Sequence, residues 1–100
     1  MTNDELQSAL ANHKLWLADP SQGEQADLRW LDLTGTHLTG ANLWGANLRG
    51  ANLRGANLTG ANLIEVDLIE VDLREANLTG ANLTGANLTR ADLTEEKVVG

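Results

Sequence analysis

The sequence predicts an all-β solenoid that opens with an α-helical cap. Three observations predict it. From Ala26 to Glu95 the chain divides into fourteen consecutive five-residue blocks, each centred on a leucine, from Leu28 through to Leu93. A period of five fits neither regular structure. At about 100° per residue the leucines of one long helix would drift by about 140° per block and form no stripe. On a flat strand an odd period would flip them to the opposite face at every block. Within a block, however, the small or apolar residue two positions before the leucine shares its face, so the phase has to be reset once per block. A corner does this, and Gly, Asn and Asp, which recur in the blocks, tolerate corner backbone angles. The chain therefore turns every five residues with its Ala and Leu inward.

Taken in order, residues 1–25 form a capping helix and its linker. Thr2 and Glu5 have the spacing of a capping box. Leu6, Ala9, Leu10, His13 and Leu17 fall on one helical face with Trp16 beside it, over residues 3 to about 18. Asp19-Pro20 stops the helix. Its apolar face is expected to cover the first coil, since a solenoid otherwise exposes open core and unpaired edges at its ends. Residues 26–95 are the repeats. The inward position before leucine is Ala in ten blocks, Val66 and Val71 in two, Leu31 and Thr36 in the others. The position directly before leucine is Asn or Asp in every block except at His37. Residues 96–100 are a short tail.

Periodicity alone leaves the number of sides per coil open. Blocks such as Ala46-Asn47-Leu48-Arg49-Gly50 and Ala81-Asn82-Leu83-Thr84-Gly85 resemble the A(D/N)LxX signature of the pentapeptide-repeat family. The resemblance covers about seventy residues. It implies a right-handed, four-sided parallel β-helix with twenty residues per coil, hence three and a half coils here. At about 4.8 Å between stacked strands the rod would stand roughly 17 Å tall. Residues i and i+20 would then stack. The resulting columns include a neutral amide ladder at Asn42, Asn62 and Asn82, able to hydrogen-bond along the stack. Glu70 falls beneath Arg90, while Asp72 and Asp92 become like-charged neighbours.

Composition narrows the function classes. Hydrophobic residues make up 42% of the chain, yet there is no Phe, Tyr or Cys and only three Trp. The core is thus narrow and aliphatic, without disulfides or thiolate metal sites. The net charge of −7 disfavours direct binding to nucleic acid or anionic membranes. No apolar run approaches the ~20 residues of a membrane span, and the Met-Thr-Asn-Asp-Glu start lacks signal-peptide character. These features place the chain in the cytoplasm. No catalytic, cofactor-binding or metal-ligating constellation stands out. His13 and His37 lie in different segments, the Gly40–Gly60 spacing lacks the Lys-Ser/Thr of a phosphate loop, and a filled rod supplies no obvious concave pocket. An enzyme is not expected.

Surfaces remain. Residues 64–75 break the small-residue pattern and carry Glu65, Asp67, Glu70, Asp72 and Glu75. Ile64 and Ile69 point outward there, and Trp44 stacks beneath Ile64. Trp44, Ile64, Glu65, Asp67, Ile69, Glu70 and Asp72 therefore form the candidate protein-binding patch. After Leu93 only a few residues remain to cover the last coil, so Leu88, Leu93, Val98 and Val99 form the candidate homodimer interface. The leading function is a rigid, non-enzymatic interaction scaffold for a protein partner. The family resemblance implies an alternative, an acidic DNA-mimicking rod that binds DNA gyrase. An ice- or surface-binding solenoid is a third, suggested by Thr39, Thr59 and Thr79 in one column.

Overall fold

The computed structural model describes residues 2–94. It contains one helix, α1 (Asn3–Ala18), followed by stacked coils. Thr2 is its N-cap. The Thr2 hydroxyl accepts from the Glu5 amide at 3.1 Å, and the Glu5 carboxylate accepts from the Thr2 amide at 3.1 Å. The expected capping box is therefore present. No described helix is long and apolar enough to cross a membrane.

From Asp27 onward the chain rises in twenty-residue coils. Parallel bridges join Asp27 to Asn47, Asp32 to Asn52, His37 to Asn57 and Asn42 to Asn62, and the same four stations repeat in the coils above. Each station uses one repeated pair of bonds. The Leu28 amide donates to the Asn47 carbonyl at 2.8 Å, and the Asn47 amide donates to the Ala26 carbonyl at 3.1 Å. The sides are single bridges rather than extended strands, because two of every five residues belong to a turn and too few remain to build a longer ladder.

The turns explain the period. In the block ending at Gly40, the Ala41 amide donates to the Leu38 carbonyl at 3.0 Å across Thr39 and Gly40. The same bond recurs in every block from Leu33 to Leu88. The second turn residue has φ near +60 to +70°, as in Gly40 at 67°. Positive φ at that position alone is the pattern of a type II turn, which selects glycine. Asn and Asp do not themselves adopt the left-handed conformation. Their side-chain oxygen accepts the amide of the first turn residue, for example Asn42 Oδ1 from Trp44 at 3.2 Å and Asn62 Oδ1 from Ile64 at 3.1 Å. This corrects the expected amide ladder, since these oxygens cap their own turns. His37 cannot make this Asx turn, yet its bridge to Asn57 survives because bridging uses only backbone.

Every central leucine from Leu28 to Leu78 is at most 2% exposed, and Ala46, Ala51, Ala56, Val66 and Val71 are equally buried beside them. Each such leucine contributes about 1.5–3 kcal/mol. Burial then fails upward: Leu83 and Leu88 are half-buried and Leu93 is 37% exposed. At the other end Leu6 joins the same apolar cluster, with Ala9 and Leu10 packed against it.

One corner carries an unexpected contact. Trp30 occupies a second turn position with φ of 63° and its ring lies over Gly50, one coil above. A Cβ on Gly50 would land inside that ring, whereas a Cβ on Gly55 would meet nothing within 4 Å. Gly55→Ala is expected to cost about 1–2 kcal/mol, from backbone strain alone. Gly50→Ala should cost more, and the excess should vanish in a Trp30→Ala background. Urea denaturation of the double-mutant cycle measures this.

Candidate interaction edge

The seven residues of the sequence-derived patch do not share one surface. Trp44, Ile64 and Thr84 are the first turn residues of one corner, stacked by the bonds from Gly45 to the Ile64 carbonyl and from Glu65 to the Thr84 carbonyl, both 2.9 Å. Trp44 is 37% exposed and Ile64 is half-buried. Glu65 sits at the same corner with φ of 58°. Asp67 lies on the adjoining side between Asn47 and Asn87 and accepts the Ile69 amide at 3.0 Å. Ile69 and Glu70 form the next corner, stacked between Arg49–Gly50 and Thr89–Arg90. Asp72 lies beyond it, on the following side. Trp44, Ile64, Glu65, Asp67 and Ile69 are thus one continuous edge.

The other two carboxylates are engaged. Arg90 Nη2 donates to Glu70 at 2.8 Å, which bears out the expected stacked pair. Arg74 donates to Asp72 through Nη2 at 2.7 Å and reaches Asp92 with Nε at 3.7 Å, so one guanidinium separates the two like charges. Arg54 pairs with Glu75 at 3.1 Å and Arg29 with Asp27 at 2.8 Å. Where the first turn residue is Thr, its hydroxyl usually donates to the Asx oxygen of its own block, as Thr84 does to Asn82 at 2.6 Å. These bonds move acidities. Hydrogen bonds from the Arg74 side chain hold the Asp72 carboxyl below its ordinary value, and those from the Arg29 side chain do the same for Asp27. The hydroxyl and then the amide of Thr34 act likewise on Asp32, as those of Thr94 do on Asp92.

Three consecutive corners of the acidic coil, Glu65, Glu70 and Glu75, hold a left-handed residue that is not glycine, with φ of 58°, 62° and 63°. A non-glycine residue costs about 1–2 kcal/mol there. Strain retained at three successive turns is the sequence's largest departure from its own rule, and the candidate edge begins at the first of them.

His13 is the residue that sequence reasoning undervalued. It is fully buried, with both ring nitrogens bonded. The Ala26 amide donates to Nδ1 at 2.9 Å, so Nδ1 is an acceptor. Nε2 therefore carries the hydrogen and donates to the Trp44 carbonyl at 2.8 Å. Trp16 stacks on the ring at a centroid distance of 5.6 Å. A histidine within an apolar stripe, three residues before a tryptophan, was the available signal. The seam beside α1 also holds an open groove of about 490 Å³ lined by residues including Asp4, Glu5, Asn12, Glu24 and Asp27. The central leucines beside it are buried, whereas the seam between helix and coil is open. Of the candidate dimer residues, Leu88 and Leu93 lie on the uppermost described coil, while Val98 and Val99 fall outside the described residues.

A family model described as Pentapeptide repeats (8 copies) matches residues 26–63 and 56–95. The chain belongs to the pentapeptide-repeat family. Membership implies a right-handed β-helix, in agreement with the twenty-residue register. Similar solved structures include Rfr23, a pentapeptide repeat protein from the cyanobacterium Cyanothece 51142, at 33% identity and TM-score 0.52 over 81% of this chain and 65% of that one. A pentapeptide repeat protein of the Arabidopsis thaliana thylakoid lumen matches at 37% identity and TM-score 0.48, over 74% of this chain and 55% of that one. HetL, a pentapeptide repeat protein involved in heterocyst differentiation regulation in Nostoc sp. strain PCC 7120, matches at 38% identity and TM-score 0.40, over 67% and 38%. This chain therefore spans between 38% and 65% of the length of these three proteins. Comparison with curated proteins finds no match.

Two outcomes are expected of this pentapeptide-repeat chain. The lowered acidities of Asp27, Asp32, Asp72 and Asp92 mean that the folded state favours their ionised forms. That contribution is complete above the unfolded value of about 3.9 and is lost as pH falls through the lower folded values. The urea midpoint should therefore drop below about pH 4, and less so in Asp72→Asn. Glu65→Gly removes the strain at φ 58° but frees the unfolded chain. It should raise stability by up to about 1 kcal/mol, read from the same melts.

Proposed function

We propose that this pentapeptide-repeat protein is a non-enzymatic interaction module that presents the edge of Trp44, Ile64, Glu65, Asp67 and Ile69 to a protein partner. One observation carries the reading. Trp44, exposed and stacked below Ile64, stands next to two acids, Glu65 and Asp67, for which no arginine partner is found among the described residues. Aromatic anchors rimmed by charge are the usual composition of binding hot spots. The sign of the rim favours a partner segment with basic residues around an apolar centre. In this reading α1 acts as the lower cap, since Leu6 belongs to the coil core and His13 bonds to the first coil.

The acidic-rod alternative is less favoured, because Glu70, Asp72 and Glu75 are each matched by an arginine. The surface-binding alternative is less favoured too, since the Thr59 and Thr79 hydroxyls already donate to Asn57 and Asn77. A second interface is proposed at the upper coil, where Leu88 is half-buried and Leu93 is 37% exposed. A second copy of the chain is its proposed occupant.

Crosslinking capture from native extract tests the first reading. Partners recovered by the wild type should be lost with Trp44→Ser or Ile64→Asp. The purified partner should quench tryptophan emission, with affinity reduced about tenfold or more by either change. Equal recovery by both variants would remove the edge. For the upper coil, light scattering should give a dimer for the wild type and a monomer for Leu88→Glu with Leu93→Glu.

A further inference from the structure

We propose that His13 is an acid-sensitive latch that holds α1 over the first coil. The upper coils satisfy one another through the ladder, but the first coil has no coil beneath it. In the ladder the carbonyl of a first turn residue accepts an amide from nineteen residues earlier, as the Arg54 carbonyl does from Gly35 at 2.9 Å. Trp44 is such a residue in the first coil, and His13 Nε2 supplies its donor at 2.8 Å. The Gln25 side chain donates to the adjacent Gly45 carbonyl at 2.6 Å, a second tie between linker and first coil at a position that takes no ladder bond. His13 is thus a side-chain substitute for a missing ladder bond, and its other nitrogen receives the Ala26 amide, the first of the repeats.

This arrangement requires one protonation state. A backbone amide can only donate, so Nδ1 must keep its lone pair. A proton added there points at the Ala26 hydrogen, removes the acceptor and leaves a cation fully buried. The surroundings offer little to offset that charge. On α1 the titratable groups are Asp4, Glu5 and Lys14, and Glu5 is already bound into the capping box. In the linker they are Asp19, which is bonded to Ser21, and Glu24, and in the first block Asp27, which is held by Arg29. Among the described residues no carboxylate forms an ion pair with the His13 ring. Trp16 stacks on the ring and favours a cation, but it supplies no acceptor for Nδ1–H. Protonation therefore works against docking. Release of α1 uncovers the underside of Leu28, Leu33, Leu38 and Leu43 while the ladder above stays closed. The latch also ends on the carbonyl of Trp44, so acid reaches the residue at the base of the candidate edge. The latch itself does not depend on that edge having a partner.

Amide exchange of the full-length chain, followed by NMR between about pH 7 and pH 4.5, tests this. Protection of the Ala26 amide should fall about tenfold or more, while that of Leu48, which donates to Asp67 within the ladder, holds. His13→Gln should flatten the response of Ala26 to within about twofold. Persistent Ala26 protection in wild type at pH 4.5 would overturn the proposal, as would a parallel loss in His13→Gln, which would assign the effect to carboxylates. Should His13→Gln already be undocked at pH 7, the wild-type His13 ring nitrogen shifts decide. Loss of Ala26 protection that coincides with ring protonation supports the latch, and loss at a separate pH overturns it.

Discussion

The whole rod depends on the turn that resets the phase every five residues. Without it the leucines would alternate between faces and no core would exist. The turn has two requirements. Its second residue must take positive φ, which glycine meets without strain. The amide of its first residue must find an acceptor, which the Asx oxygen supplies, as Asn52 does for Arg54 at 2.9 Å. Gly and Asx are therefore not surface decoration around a leucine core. They are the reason the leucines of successive coils can share one interior, with Leu28 through Leu78 almost wholly excluded from water.

Because each coil contacts only its neighbours, the ends obey different physics from the middle. The ladder carbonyls of interior coils are satisfied by backbone amides one coil away. At the lower end the Trp44 carbonyl depends on a side chain, His13. Side-chain donors satisfy the same acceptors as a backbone ladder, but they bring chemistry that a backbone amide lacks. An imidazole can be protonated and an amide of the ladder cannot. Conditional behaviour is thus concentrated at the seam between α1 and the first coil, where the open groove also lies.

Much of this was legible in the residues. The leucine columns and the capping box of Thr2 and Glu5 follow from spacing, because each is a local or strictly repeated relation, whereas the twenty-residue register and the Glu70–Arg90 stack that rests on it came from the family resemblance. Relations set by side-chain reach were not legible. Arg74 lies between Asp72 and Asp92, and the Trp30 ring lies across Gly50, through rotamers that no period specifies. The patch residues shared the same difficulty. Corner positions alternate with sides around a coil, so Asp72, only three residues beyond Ile69, falls on the side past the Ile69–Glu70 corner and away from Ile64. His13 was hidden for a different reason: its partners are backbone atoms of residues 13 and 31 positions away, which carry no side-chain signature.

The places where the repeat departs from its own rule are the most informative. A turn filled by glycine reports only the needs of the backbone. A turn filled by Trp30, Glu65, Glu70, Glu75 or Arg90 accepts strain, with φ between 58° and 63°. The exceptions differ in what offsets that strain. Trp30 gains packing on Gly50, Glu70 and Arg90 gain each other, and Glu75 gains Arg54. Glu65 has no ion-pair partner among the described residues and only its side chain's contact with Gly85, and it stands beside the exposed Trp44–Ile64 column. Strain balanced within the fold needs no external explanation. A left-handed acid whose charge is left unpaired among the described residues points outward instead, and this asymmetry separates Glu65 from Glu70 and Glu75.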